Sequence, residues 1–137
     1  MKLSIIIVNY NVKYYIDQCI RSVLKAIDVV NGLLGYPGVP GTLVEVIVVD
    51  NHSADGSVEY LEKRYPKSLY PMLRIVSSVH NLGFARANNL AIRQSKGEYV
   101  LLLNPDTIVG EHVLEECLRF MDAHTDAGAL GVRMLDA

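Results

Sequence analysis

The sequence has no tryptophan, only two cysteines, and no excess of charge of either sign. Thirteen Lys and Arg against fifteen Asp and Glu leave a formal charge of -2, without the basic block or stripe that tracks a phosphate backbone, which argues against a nucleic-acid partner. Cys19 and Cys117 stand alone inside helical patterns and lack CxxC spacing, which fits buried thiols in a reducing compartment better than a disulfide framework. Long apolar runs are also missing. "LSIIIV" near the start is about six residues, against roughly 20 for a membrane span, and no cleavage-site pattern follows it. These absences point to a cytoplasmic protein, one that could work at the inner face of a membrane. The stretch after that run, "VNYNVKYY", contains no glycine, so the GxGxxG turn of a dinucleotide-binding domain is absent.

At 137 residues, half of them hydrophobic, residues 1–137 make one domain with enough apolar side chains for a core. Four runs have the length and β-branched content of buried parallel strands: Leu3 to Val8, Val44 to Asp50, Leu73 to Ser78 and Glu98 to Asn104. Helical periodicity follows each. Ile16, Cys19, Ile20, Val23, Leu24 and Ile27 fall on one face of the first helix. Val58, Leu61 and Tyr65 mark the second, Ala87, Leu90 and Ala91 the third, and Val113, Leu114, Cys117, Leu118 and Met121 the fourth. The alternation predicts an α/β fold, a Rossmann-like, mostly parallel sheet with helices on both faces. Gly97 reads as the left-handed stop before the fourth strand. "NGLLGYPGVPG" (Asn31 to Gly41) reads as an exposed, mobile loop, and "GALGVRMLDA" as the start of a fifth strand. An exposed edge of this kind could pair with a second copy, giving a homodimer.

In open α/β sheets ligands bind beyond the carboxyl ends of the strands. Here those ends are polar: "NYN" (Asn9 to Asn11), "DNHSADGS" (Asp50 to Ser57), "HNLGFARANN" (His80 to Asn89) and "NPDT" (Asn104 to Thr107). Singly, each is ordinary turn chemistry, and Asp55 or Ser57 could cap a helix. Together they suggest a ligand. A tyrosine such as Tyr10 offers a flat face for a base, and the Asp50 carboxylate can accept the imide N–H of uracil or thymine. Asp106, on a proline-stiffened turn, is a hard oxygen ligand for Mg²⁺ or Mn²⁺, a divalent ion whose shell is normally completed by water and phosphates.

"SIIIVNYN", "VIVVDNHSADGS", "NLGFARANNLAI" and "GEYVLLLNPDT", in this order and spacing, resemble the nucleotide-binding part of the family 2 inverting nucleotide-sugar glycosyltransferases. The resemblance runs from Leu3 to about Leu135 and implies a GT-A fold. By position it implies that Tyr10 lies against the base of a nucleotide-sugar donor, that Asp50 pairs with that base, and that Gly83 and Asn89 shape the nucleotide pocket. It further implies that Asp106 is the last, metal-binding aspartate of an Asp-X-Asp motif whose first aspartate is Asn104 here. "NLGFA" and "LNPDT" are similar to rhamnosyltransferase-like bacterial members that build cell-surface polysaccharides. The implied reaction transfers a sugar from a UDP- or TDP-sugar to a saccharide or lipid-linked acceptor by a single inverting displacement, helped by the metal. No residue presents itself as the catalytic base, so the chain is expected to bind donor and metal and to turn over poorly on its own, as a part cut before the acceptor-binding region.

A receiver-like signalling domain with Asp50 as phosphoacceptor is the alternative from another class. It requires an acidic pair after the first strand, where this chain has "NYN". His52 and His80 with Asp50 could be imagined as a transition-metal site, but they lack i, i+4 spacing or a thiolate partner and read as loop hydrogen-bonders. The glycosyltransferase reading requires Tyr10, Asp50 and Asp106 to converge on one side of the molecule.

Overall fold

A computed structural model of the protein describes residues 1–33 and 43–135. Strands and helices alternate as β1 (Leu3–Asn9), α1 (Lys13–Leu33), β2 (Val44–Asp50), α2 (Ser57–Arg64), β3 (Leu73–Ser77), α3 (Phe84–Ile92), β4 (Tyr99–Leu103) and α4 (Val113–Ala123). The strands pair only in parallel, in the order β3-β2-β1-β4. Parallel neighbours need a crossover, and the helices supply it.

The two faces of the sheet are covered unequally. On one, Leu3, Ile5 and Ile7 of β1 and Val44, Val46 and Val48 of β2 meet the apolar stripe of α1, with α2 and α4 on either side. On the other, Ile6, Ile47 and Val49 meet α3 through Ala87 and Ala91, with Leu82 of the preceding loop packed beside them. The two alanines let that helix lie close to the sheet. Full burial of each Ile, Val or Leu contributes about 1.5–3 kcal/mol, so the central strands hold most of the fold's driving force. At the edge, Val100 and Leu102 of β4, level with Ser4 and Ile6, lie on the α3 side of the sheet but beyond that helix, and stay 41% and 49% exposed.

Three sequence expectations need correction. The first helix is longer than its predicted stripe: Val30 continues the buried face one turn past Ile27, and Asn31 to Leu33 are helical rather than loop. Residues 34–42 of that expected loop lie outside the described residues. Gly97 does not have the positive φ of a left-handed stop. Its role is steric: a Cβ there would stand 2.4 Å from the Ser4 backbone nitrogen, because the chain entering β4 passes directly over β1. The segment 128–135 joins no strand. Residues 128–132 instead lie against β4 and α4, over a cavity of about 380 Å³ bordered by Leu101, Leu114, Leu118 and Met121.

Candidate functional site

Strand register brings the four polar segments to one edge. Asn9 of β1 is level with Asp50 of β2, Asp50 with Ser77 of β3, and Ile7 with Leu103 of β4. The order β3-β2-β1-β4 reverses direction at β1, so the crevice between the carboxyl ends of β1 and β4 is the topological switch point where such sheets take ligands. Tyr10 and Asn104 to Thr107 flank it. Tyr10, Asp50 and Asp106 therefore share one edge.

The turn after β4 is built as its proline suggests. The Thr107 N–H donates to the Asn104 carbonyl at 3.2 Å, closing a four-residue turn with Pro105 and Asp106 at its centre. Asn104 and Asp106 are exposed. Helix α1 anchors the turn from behind: Cys19 Sγ donates to the Asn104 carbonyl at 3.7 Å, and the Ser22 hydroxyl accepts the Val109 N–H at 2.9 Å. Burial pushes the Cys19 thiol up to about 12, and the neighbouring Asp106 charge adds to the effect.

Tyr10 is half exposed, and the residues on either side of it are tied down. Asn9 is fully buried, and its amide donates to Asp50 Oδ1 at 2.8 Å and to the Ser53 hydroxyl at 3.2 Å. Because a carboxylate only accepts, Asp50 fixes which way this amide faces, leaving Asn9 Oδ1 buried with no partner among the described residues. Asp50 is 3% exposed and points toward α1, with its second oxygen accepting the Ser53 N–H at 2.9 Å. The residue level with Asp50 on β1 is Asn9, so the acidic pair that the receiver-like alternative requires is absent beside it.

The next residue, Asn51, turns to the opposite side. Its Oδ1 accepts the Leu82 N–H at 2.6 Å, and its amide donates to Asn81 Oδ1 at 2.8 Å, so it braces the β3–α3 loop. Asn81 Oδ1 also takes the Gly83 N–H at 2.8 Å. Gly83, with φ 75 and ψ 170, opens α3 in a conformation open in practice only to glycine. Of the pair on α3, Asn88 is buried and bonds to the Phe84 carbonyl, while Asn89 is exposed. Thus Gly83 and Asn89 sit on one loop and the helix it starts, braced by a residue that sequence reasoning passed over. Asn51 gave no signal apart from its place beside Asp50. His52 and His80 are exposed, with His52 in a left-handed turn at φ 68.

Among the described residues no group of three His, Cys, Asp or Glu could hold a metal ion. The turn that follows β4 directly offers an exposed carboxylate, Asp106, with Asn104 in the same turn. That donor set fits a hard cation carried largely by a ligand's phosphates and does not fit a closed, all-protein metal cage.

Residues 4–136 match the Glycosyl transferase family 2 domain. The chain belongs to this family. It is 28% identical, over 124 residues, to the poly(ribitol-phosphate) beta-N-acetylglucosaminyltransferase TarS of Staphylococcus aureus strain Mu50, spanning 90% of this chain and 19% of TarS. The minor teichoic acid biosynthesis protein GgaB of Bacillus subtilis strain 168 is 30% identical over 121 residues, 88% of this chain and 12% of GgaB. The crystal structure of S. aureus TarS 1-349 in complex with UDP-GlcNAc has a TM-score of 0.72 at 28% identity, covering 98% of this chain and 37% of that one. The fold is thus the GT-A α/β fold of the family 2 glycosyltransferases. A mannosyltransferase, PcManGT from Pyrobaculum calidifontis in complex with GDP-Man and Mn²⁺, shares the fold with a TM-score of 0.71 at 22% identity, over 88% of this chain and 32% of that one. This chain spans about a fifth or less of the length of TarS and GgaB. No helix among the described residues is long and apolar enough to cross a membrane.

Proposed function

We propose that this family 2 domain binds a nucleotide diphosphate sugar, UDP- or TDP-linked, as the donor-binding part of a metal-dependent, inverting glycosyltransferase of cell-surface polysaccharide synthesis. One observation carries the proposal. The switch point between β1 and β4 presents an exposed aromatic ring, Tyr10, on one side and an exposed carboxylate on a rigid turn, Asp106, on the other. The relatives support it: TarS is named an N-acetylglucosaminyltransferase, and its residues 1-349 have been crystallised with UDP-GlcNAc.

In this reading Tyr10 stacks on the base. Asp50 acts at the same end, through the lone pairs left on oxygens that already accept from Asn9 and Ser53. Gly83 and Asn89 line the wall toward α3. Asp106, with Asn104 beside it, would hold Mg²⁺ or Mn²⁺; when bound, such an ion supplies charge neutralisation for the departing diphosphate. The form of the "NLGFA" and "LNPDT" motifs favours a rhamnosyltransferase-like member working on a saccharide or lipid-linked acceptor at the cytoplasmic face of a membrane. The open edge of β4, with Val100 and Leu102 half exposed, is the surface we assign to pairing with a second copy.

Calorimetric titration with UDP, TDP and GDP, each with and without Mn²⁺, tests the proposal. Binding of UDP or TDP that strengthens with Mn²⁺ is expected. No binding by any of the three would reject it.

A further inference from the structure

We propose that Asn11 is a positioning residue: it latches the β1–α1 turn to the β2–α2 loop and so holds the Tyr10 ring where a base would stack, an inference that rests on the nucleotide-binding reading above. Alternation along the chain motivates it. Asn9, Asn11 and Lys13 each bond to the β2–α2 loop, and Tyr10, between the first two, is left projecting outward.

Asn11 contributes two of these bonds. Its N–H donates to the Ser53 hydroxyl at 3.0 Å, and its Oδ1 accepts the Ala54 N–H at 2.7 Å. On either side, Asn9 donates to the same Ser53 hydroxyl, and the Lys13 N–H donates to Asp55 Oδ2 at 3.0 Å. Lys13 Nζ adds a bond to the Asp55 carbonyl at 3.0 Å. Ser53 is itself fixed by Asp50. Residues on two loops some 40 positions apart thereby form one closed set of hydrogen bonds around Tyr10.

Backbone conformation supports the same role. Asn11 has φ 54, a left-handed geometry that asparagine tolerates and most side chains resist. In that turn its side chain reaches across to Ala54 while the Tyr10 ring stays half exposed. The Tyr10 side chain makes no hydrogen bond and no aromatic pair among the described residues, so the bonds that fix its neighbours on either side set where the half-exposed ring projects.

The test uses variants that leave the backbone free to adopt this turn. Asn11→Gly keeps access to positive φ and removes the side-chain acceptor, whereas Asn11→Asp keeps both. In calorimetry with UDP and Mn²⁺, Asn11→Gly is expected to weaken binding about tenfold, the size of one lost hydrogen bond's ordering effect, and Asn11→Asp to retain most of the affinity. In a Tyr10→Ala background the Asn11→Gly loss should vanish, because there is no ring left to position. Equal losses in both backgrounds, or no loss in either, would overturn the latch. A second readout needs no nucleotide: the ¹⁵N order parameter of Tyr10 should drop in Asn11→Gly and stay high in Asn11→Asp. An unchanged order parameter overturns the latch even if nucleotide binds. A drop without any nucleotide binding keeps the latch and rejects the proposed ligand.

Discussion

Cys19 donates its thiol hydrogen bond to the main-chain carbonyl of Asn104, so the second turn of α1 seats the turn that carries Asp106. Burial first, then the Asp106 charge, raises this thiol to about 12, against an opposing contribution from the Thr107 N–H. Thiolate is the reactive form, and at neutral pH almost none exists. Iodoacetamide followed by mass spectrometry should therefore leave Cys19 unlabelled in the native protein and label it in denaturant. Rapid native labelling would show that the turn is not seated as described.

Asp106 is exposed and makes no side-chain hydrogen bond among the described residues, so its removal should cost the fold little, within about 0.5 kcal/mol. Asp106→Ala is nevertheless expected to abolish the Mn²⁺-dependent part of nucleotide binding. Calorimetry alongside thermal unfolding separates the two effects. Undiminished metal-dependent binding in this variant would remove Asp106 from the metal site.

Asp17 lies on α1 with a side chain 5% exposed, gripped by Arg64 at 2.7 Å, the Tyr65 hydroxyl at 2.5 Å and the Tyr60 hydroxyl at 3.1 Å. These bonds fasten α2 to α1 just behind the strand-end loops. Asp17→Ala would remove the shared carboxylate acceptor and leave the Tyr65 hydroxyl only its longer bond, 3.3 Å, to the main-chain carbonyl of residue 17, and a loss of about 1–3 kcal/mol is expected. Urea denaturation measures it. A loss under about 0.5 kcal/mol would mean that solvent replaces these bonds freely.

Where the chain enters β4, Gly97 passes over Ser4 with room for hydrogen only. Adding one methyl forces the two backbones apart, since the atom met is main-chain nitrogen and not a flexible side-chain tip. Gly97→Ala should destabilise by about 1–3 kcal/mol, although alanine would normally stabilise an extended segment. Equal or greater stability in denaturant would contradict the close approach.

Burial alone would raise the Asp55 carboxyl. The Ser57 side chain, the Lys13 N–H and the Ser57 N–H outweigh it and hold the group below its ordinary 3.8. The folded value is below the unfolded one, so this contribution is complete above about pH 4 and fades as pH falls through the folded value. Asp122, lowered first by Lys2 and then by Tyr99, acts in the same window, but at the surface and subject to salt. Melting temperature should decline below pH 4, and Asp55→Asn should flatten that decline. The same slope in wild type and variant would mean that Asp55 has no part in it.

Much of the fold could be read because its causes are local. β-branched runs marked the strands to within a residue or two, and the i, i+3, i+4 stripes marked every helix. The Asp106 turn was legible for the same reason: proline and its neighbours make the turn by themselves. What escaped notice depends on partners far along the chain. Asp17 reads as a surface charge on a helix until Arg64 and Tyr65, over 45 residues later, close around it. Asn51 looks like a second copy of Asp50 in the same turn, yet strand alternation sends the two side chains to opposite layers. The role of Gly97 depends on Ser4, 93 residues away, and no local pattern could show it.

The inside-outside alternation of β1 does not stop at its last paired residue; it continues through Tyr10 and Asn11 to Lys13. Spacing therefore matters there as much as residue identity. A single inserted or deleted residue between Asn9 and Lys13 would swap which side chains face the neighbouring loop, burying the aromatic ring and freeing its anchors. Homologous segments grafted into this corner should succeed only when they keep its length.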